Sequence, residues 1–386
     1  MSLFNYPIKN KKNILALGSE SAGNFSIYFF GKIFFSKDFG DLLDEKNYKN
    51  FQKSILTFLK KNKIKPDIIL TDLHPLYKTT ILGKELSQKF KAKHIQVQHH
   101  IAHIFSALGD KIVCNSKFII PDLFLGIACD GTGYGLDEKI WGGEIFEFKK
   151  EKSEFKIKRI GHLENQIMIG GDLAIKEPAR MLIAILAKIN LVKNQKSIKS
   201  KDEEKKDFIF SFVKKYYIHN QFELLYNQLQ QNFNCLETSS AGRILDAVSI
   251  LLGFCQNERK YKHEPIKLLE KNSTIPYRIK SKIKNQKSKV ILETTPLFEY
   301  LIKNLHRDKK QLAATAQLYI AQGLYKIIFK SKIINHKPKI FLAGGLANNK
   351  IIAAYMESQD IYLNKKIPRG DAGISFGQIV WCLSNK

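Results

Sequence analysis

The run VQHHIAH, residues 97–103, holds three of the chain's ten histidines within five positions. On a helix His99 and His103 share one face, a turn apart. An i,i+4 imidazole pair is a common way to hold a divalent metal. The same pair also serves as packing or capping residues, and spacing alone leaves those readings open. His100 points elsewhere. Carboxylates would complete a metal site. CDGTGYG, residues 129–135, sets Asp130 at the end of a predicted strand, ahead of Gly131, Gly133 and Gly135. Glycines let a backbone approach a phosphate closely and aim N–H groups at it; a plain hairpin turn has the same composition. PRGDAGISFGQ, residues 368–378, places Asp371 between glycines just before a predicted helix, a position suited to a metal or phosphate. LAGGLANN, residues 342–349, is a third glycine turn at a strand end, with Asn349 opening a helix. Three such turns favour a nucleotide in a cleft, because ligands of α/β folds collect at strand ends.

The elements that would position these residues alternate between strand and helix. Residues 13–41 and 122–150 share a layout: a buried-type strand, a turn at small and acidic residues, and a returning strand. Each precedes mostly helical sequence, which suggests two related α/β lobes facing across a cleft. YKNFQKSILTFLKKN has helical apolar spacing, KPDIILTDLHP reads as a buried strand ended by a His-Pro turn, and ATAQLYIAQGLYKIIFKSKI reads as a long helix. KIFLAGGLANNKIIAAYME reads as strand, glycine turn and helix.

Composition agrees with a two-lobed globular protein. The chain has 386 residues, 44% of them apolar, too many for one simple core. Its longest apolar runs, such as MLIAILA, are too short to span a bilayer, and MSLFNYPIKNKKN carries no secretion signal. Five cysteines without a CxxC pair argue against a disulfide framework or zinc ribbon and for a reducing cytoplasm. The formal charge of +27 comes mainly from lysine spread along the chain. Its densest runs, LVKNQKSIKSKDEEKK and RIKSKIKNQKSK, lack interleaved aromatics, so they read as exposed loops or helix surfaces and not as a nucleic-acid site.

The ordered motifs VQHHIAH, ACDGTGYG, IWGGEIF, IGGDLAIKEPARM, TSSAGRILDAVSILLGFC, AGGLANN and PRGDAGISFGQ make the chain, from about residue 13 onward, resemble the C-terminal Kae1-like domain of the HypF carbamoyltransferase family. The resemblance implies an α/β, two-lobed actin/sugar-kinase/Hsp70-like fold with duplicated RNase H-like lobes. It divides the chain into a first lobe at 1–120, a second at 121–370, and a C-terminal helix at 371–386 that packs back on the first. It also implies transfer of a carbamoyl group from carbamoyl-adenylate to the C-terminal cysteine thiol of a HypE-like partner, on the route to the cyanide ligands of NiFe-hydrogenase. The family's metal ligands map onto His99, His103, Asp130 and Asp371, a donor set that suits iron, zinc or manganese. The DGTGY stretch would contact the phosphate or carbamoyl group through Asp130, Thr132 and Tyr134, with Gly131 and Gly133 cradling ATP or the adenylate. Gly242 and Asp246, with Gly344, Gly345 and Asn349, match positions that hold the nucleoside. Gly170, Gly171 and Asp172, with Glu177 and Arg180, match a further motif whose plainer reading is a stabilising salt bridge.

Departures from the family bear on activity. Its acylphosphatase-like, zinc-finger and YrdC-like segments have no counterpart in this sequence, so a stand-alone enzyme served by a separate YrdC-like adenylating protein is expected. The family's Glu-Leu-Lys-Asn run reads ESAGN here, with Ala22 at the lysine position. Its Tyr-Glu-Gly-Gln-Ala-Ala run reads YKHEPI, with Lys262 reversing a charge and His263 at a glycine position. The metal and nucleotide framework therefore reads as intact and the carbamoyl-handling face as altered. Two alternatives stay open: a carbamoyltransferase for another acceptor, such as a hydroxyl, or a nucleotide- and metal-binding regulatory or assembly protein without turnover.

Overall fold

The computed structural model describes residues 1–8, 10–190, 200–330 and 338–385. Its first lobe runs β1 (Ser2–Asn5), β2 (Ile14–Ala16), β3 (Ser26–Phe29), β4 (Lys32–Phe35), α1 (Glu45–Lys61), β5 (Ile68–Asp72), α2 (Lys78–Phe90), β6 (Lys93–Val97) and α3 (His99–Cys114). All five residues of β5 are buried, as the apolar run IILTD dictates for a central parallel strand. Asp44 caps α1 by accepting from the Asn47 N–H, and Phe51, Ile55 and Leu59 turn its apolar face inward at i,i+4 spacing.

The second lobe runs β7 (Leu123–Tyr134), β8 (Ile140–Glu151), β9 (Glu154–Leu163), β10 (Gln166–Ile169), α4 (Leu173–Lys176), α5 (Ala179–Lys188), α6 (Lys201–Val213), α7 (His219–Gln230), β11 (Cys235–Thr238) and α8 (Ala241–Leu252). It continues through α9 (Glu264–Lys271), β12 (Ile283–Gln286), β13 (Lys289–Leu292), α10 (Thr295–Lys303), α11 (Lys309–Lys330), β14 (Lys339–Ala343), α12 (Lys350–Ser358) and β15 (Tyr362–Leu363). The last helix is α13 (Ile374–Ser384).

The two sheets repeat one topology. The first contains the order β4-β3-β2-β5-β6 and the second β9-β8-β7-β14-β15. In each, three antiparallel strands lead to two that join parallel to the first. The duplicated two-lobed α/β fold implied by the resemblance is the one observed. Each sheet's fifth strand is followed by a helix that crosses to the opposite lobe: α3 packs on β7 and β14, and α13 on β2, β3 and β5. The two helices also pack on each other. Their contact is close enough that a Cβ on Gly377 would stand 1.8 Å from the Ala102 carbonyl oxygen. A single apolar cluster fills the space between the sheets, joining Tyr28 and Ile33 to Phe105, Phe124, Phe148, Phe341 and Phe376.

Two expectations need correction. DGTGY is not a turn: it belongs to β7, and the chain reverses only after Tyr134. Four steps on β7, Cys129 to Gly133, oppose two on β8, Gly143 to Trp141, so the surplus residues bulge out of the ladder. The basic run at 278–289 contains β12, which forms a hairpin with β13; that hairpin joins β9 because the apolar VIL of β13 is buried. Of the other basic run, residues 191–199 lie outside the described residues, and the rest enters α6, which a Ser200–Glu203 capping box starts.

Candidate metal and nucleotide site

α3 begins at the histidine run. Gln98 is its N-cap, accepting from the Ile101 N–H at 3.0 Å and donating its amide to the Tyr134 carbonyl at 3.0 Å. That start sends His99 and His103 toward β7. Asp72, the last residue of β5, lies 2.7 Å from His99 Nδ1. With Nδ1–H donating to Asp72, the Nε2 lone pair faces the cleft. The β7 bulge carries Asp130 to the same place. The Gly345 N–H donates to Asp130 Oδ1 at 2.8 Å, which leaves Oδ2 3.3 Å from His99 Nε2 and 3.5 Å from His103 Nε2. Gly344 makes this approach possible: its φ is +105°, and a Cβ there would lie 2.4 Å from the Cys129 carbonyl oxygen. Asp371, in the short turn before α13, brings Oδ1 to 3.8 Å from His99 Nε2 and 3.5 Å from His103 Nε2.

One donor atom from each of these four residues lies within 4.8 Å of the others. His99 Nε2, His103 Nε2 and Asp130 Oδ2 are buried with no hydrogen-bond partner. Unsatisfied buried polar atoms are costly, and three of them aimed at one point suit a shared cation. Two imidazoles and two carboxylates are also a donor set a divalent transition metal accepts.

Charge interactions within the cluster outweigh the effect of burial. Burial pulls the His99 pKa down, but Asp72, Asp130 and Asp371 outweigh it and hold the imidazole well above its ordinary value. Burial opposes the rise at His103 too, and the carboxylates of Asp130 and Asp371, each 3.5 Å away, overcome it. Burial would lift Asp130 and Asp371; the two histidines instead hold Asp130 well below the carboxylate range, and His103 leads in holding Asp371 below it. His100 differs: burial first, then His99, push its pKa down to about 3. It stays neutral beside Trp141, with its Nδ1 3.0 Å from the Gln98 amide.

The nucleotide candidates divide. Gly131 meets the N-terminus of α8: a Cβ on Gly242 would lie 2.8 Å from Gly131 Cα, and Ser240, which caps α8, donates to the Gly131 carbonyl. Gly133 leaves room for the histidine rings, since a Cβ there would be 2.4 Å from His100 Cε1 and 2.8 Å from His99 Cδ2. Thr132 is half-buried on the bulge; Tyr134 places its ring 5.2 Å from that of His74. Asp246 and Asn349 are engaged within the second lobe. Asp246 is buried between Arg243 at 2.9 Å and Arg259 at 2.5 Å. Asn349 caps α12 through the Ile352 N–H and donates to Gln317 at 2.6 Å. Glu177 pairs with Arg180 at 2.8 Å and accepts from the Tyr217 hydroxyl at 3.0 Å, all in the second lobe; Gly170 and Gly171 adopt positive φ, and Asp172 is exposed.

Comparison with known proteins decides the family. The family described as carbamoyltransferase, Kae1-like domain, second subdomain matches residues 126–378, and the HypF Kae1-like domain matches residues 9–110. The chain belongs to the HypF carbamoyltransferase family. It is 38% identical, over 98% of its length, to a probable carbamoyltransferase HypF of Methanocaldococcus jannaschii, and spans 47% of that relative. It is 27% identical, over 97% of its length, to carbamoyltransferase HypF of Synechocystis sp., and spans 48% of it. Among solved structures, T. kodakarensis HypF superposes with a TM-score of 0.83 at 26% identity, over 99% of this chain and 48% of that one. Full-length HypF in a phosphate- and nucleotide-bound form superposes at 0.84 and 24% identity, over 99% and 47%, and shares the fold. The chain thus spans about half the length of the curated relatives it matches.

Both runs expected to depart from the family's pattern lie at the cleft. Ser21, in the altered ESAGN run, donates to Asp371 Oδ2. Lys262, from the altered YKHEPI run, donates to the Ser21 carbonyl at 2.9 Å and stands 3.8 Å from Asp371 Oδ2. His263 occupies left-handed backbone, with φ +67°, the freedom a glycine would provide without cost. Sequence reasoning missed Asp72, although an aspartate closing the buried strand of KPDIILTD was a signal of the kind used for Asp130. It also missed Arg243, although its i,i+3 spacing to Asp246 on α8 was a signal, and Arg259, which lies beyond the helix and carries none.

Proposed function

We propose that this chain performs HypF-type carbamoyl transfer from carbamoyl-adenylate, held in the cleft, to the C-terminal cysteine thiol of a HypE-like acceptor. The observation that carries the reading is the convergence of His99, His103, Asp130 and Asp371, with three unsatisfied buried atoms facing one point. In the reaction a C–S bond forms to the carbamoyl carbon and its C–O bond to the adenylate phosphate breaks, releasing AMP and the thiol proton. A bound iron, zinc or manganese ion would neutralise charge on the phosphoryl oxygens of the leaving adenylate. The protein supplies orientation: Asp72 fixes the His99 ring, and the Gly345 N–H fixes Asp130. The N-terminus of α8 borders Gly131, so its free N–H groups favour an anion beside the DGTGY stretch. Thr132 and Tyr134 flank that place on the bulged strand and are the side chains assigned to the carbamoyl end. The donor calls for an adenylating activity, for which a separate YrdC-like protein is the candidate, and the reaction belongs to the cytoplasm. Among the described residues, no helix is long and apolar enough to cross a membrane.

Incubation with carbamoyl-adenylate, the metal and the thiol acceptor should raise the acceptor's mass by one carbamoyl group. No gain under conditions that serve a full-length HypF would overturn the proposal. A second reading, transfer to a different acceptor, is favoured by the altered ESAGN and YKHEPI segments meeting at Asp371. A hydroxyl-bearing acceptor that gains mass where the thiol does not would select it.

A further inference from the structure

We propose that Lys262 is a specificity-determining residue: it reaches across the cleft from the second lobe and selects a phosphate-bearing ligand at the four-donor site. The inference rests on the reading above that a phosphorylated ligand sits beside those donors. The two oxygens of Asp371 face different ways. Oδ1 faces the histidines, while Oδ2 accepts from Ser21 Oγ and lies 3.8 Å from Lys262 Nζ. The ammonium is therefore one carboxylate away from the point where the donors converge. It has three N–H donors. One goes to the Ser21 carbonyl at 2.9 Å, and the Asp371 contact is too long for a hydrogen bond. The side chain is 44% exposed, so it can swing to a ligand without paying desolvation twice.

Charge balance gives this lysine its task. Asp130 and Asp371 would balance the overall charge of a divalent cation, so a phosphate that the ion contacts still brings net negative charge to the cleft, which a further cation can offset. Arg243, which borders Gly131, already pairs with Asp246. Lys262 brings N–H groups that no partner holds to the edge of Asp371. The backbone aims it there. His263 caps α9 at φ +67°, whereas Asp44, Gln98, Ser200 and Ser240 cap their helices at negative φ. Such a conformation costs a non-glycine residue about 1 kcal/mol and persists where its surroundings enforce it. The Lys260 N–H bond to Glu264 at 2.6 Å and the proline in the first turn of α9 supply that enforcement.

The test is calorimetric titration of the manganese-loaded protein with AMP, inorganic phosphate and adenosine. Lys262→Met should weaken AMP and phosphate about tenfold, as for loss of one charge-assisted hydrogen bond, and leave adenosine and manganese binding unchanged. Lys262→Arg, which keeps the charge, should restore most of the loss. Unchanged AMP and phosphate binding in Lys262→Met overturns the inference. So does an equal loss for adenosine, which would mean that the residue only holds the lobes together. If phosphate binds through Lys262 but AMP binds no tighter than phosphate, the nucleotide reading fails and the inference stands. If the unaltered protein binds neither anion, both fall.

Discussion

His99 is gripped from two sides. Asp72 holds one ring nitrogen, and the bare Cα of Gly133 leaves room for the ring edge. Asp72→Asn keeps the shape but removes the charge that fixes the tautomer, so metal affinity should fall by about 10- to 100-fold, the usual cost of losing a carboxylate behind a ligating histidine. Competition with a chromophoric chelator measures it. Gly133→Ala would push both His99 and His100, and should lower both metal affinity and the thermal midpoint. At this scale the sequence was partly readable. The His99–His103 pair follows from spacing, because i,i+4 neighbours on a helix must share a face. Asp130 and Asp371 lie far from it along the chain, and they came from the resemblance and from glycine context. Asp246 shows the limit: its i,i+3 pairing with Arg243 follows from helical spacing, but Arg259 reaches it from beyond the helix, a contact no one-dimensional pattern contains.

At the scale of elements, the site depends on two helices that exchange lobes. α3 carries the histidines, and α13 follows directly on Asp371, so their contact sets how far the imidazoles stand from that carboxylate. Gly377→Ala would drive a Cβ into the Ala102 carbonyl, a backbone atom that cannot rotate away. A loss of about 3 kcal/mol, at the upper end for overpacking, is expected in urea unfolding, together with weakened metal binding. The alternation of strand and helix was legible from apolar periodicity. The bulge in β7 was not, because a ladder that skips residues has the same composition as a glycine turn. The equivalence of the two five-stranded orders was legible only as a shared hairpin pattern; the partners β14 and β15 come from the far end of the chain.

At the scale of the whole molecule, the donors span both lobes, so a cation that binds only the folded state should stabilise the pair. At about 100 times its dissociation constant the gain is about 2.7 kcal/mol, visible as a rise in thermal midpoint on adding manganese or zinc and a fall on adding EDTA. Acid should act through Glu144. Burial raises its pKa, but Arg159, hydrogen-bonded at 2.6 Å, with His162, His100 and Ser239, overcomes this and holds it below the ordinary glutamate value. A depressed folded pKa adds stability that is complete above the unfolded value, about 4.3, and is lost as pH falls through the folded one. Glu144→Gln should therefore be less stable than the parent at neutral pH, with the gap narrowing below about pH 4. Thermal scans across that range would show it, and a constant gap would refute it.

The separation of the donors along the polypeptide also governs when the protein becomes competent. Asp371 is translated long after His99 and Asp130, so a nascent chain leaving the ribosome carries an incomplete donor set until α13 has emerged and docked. A truncated translation product cannot assemble the centre.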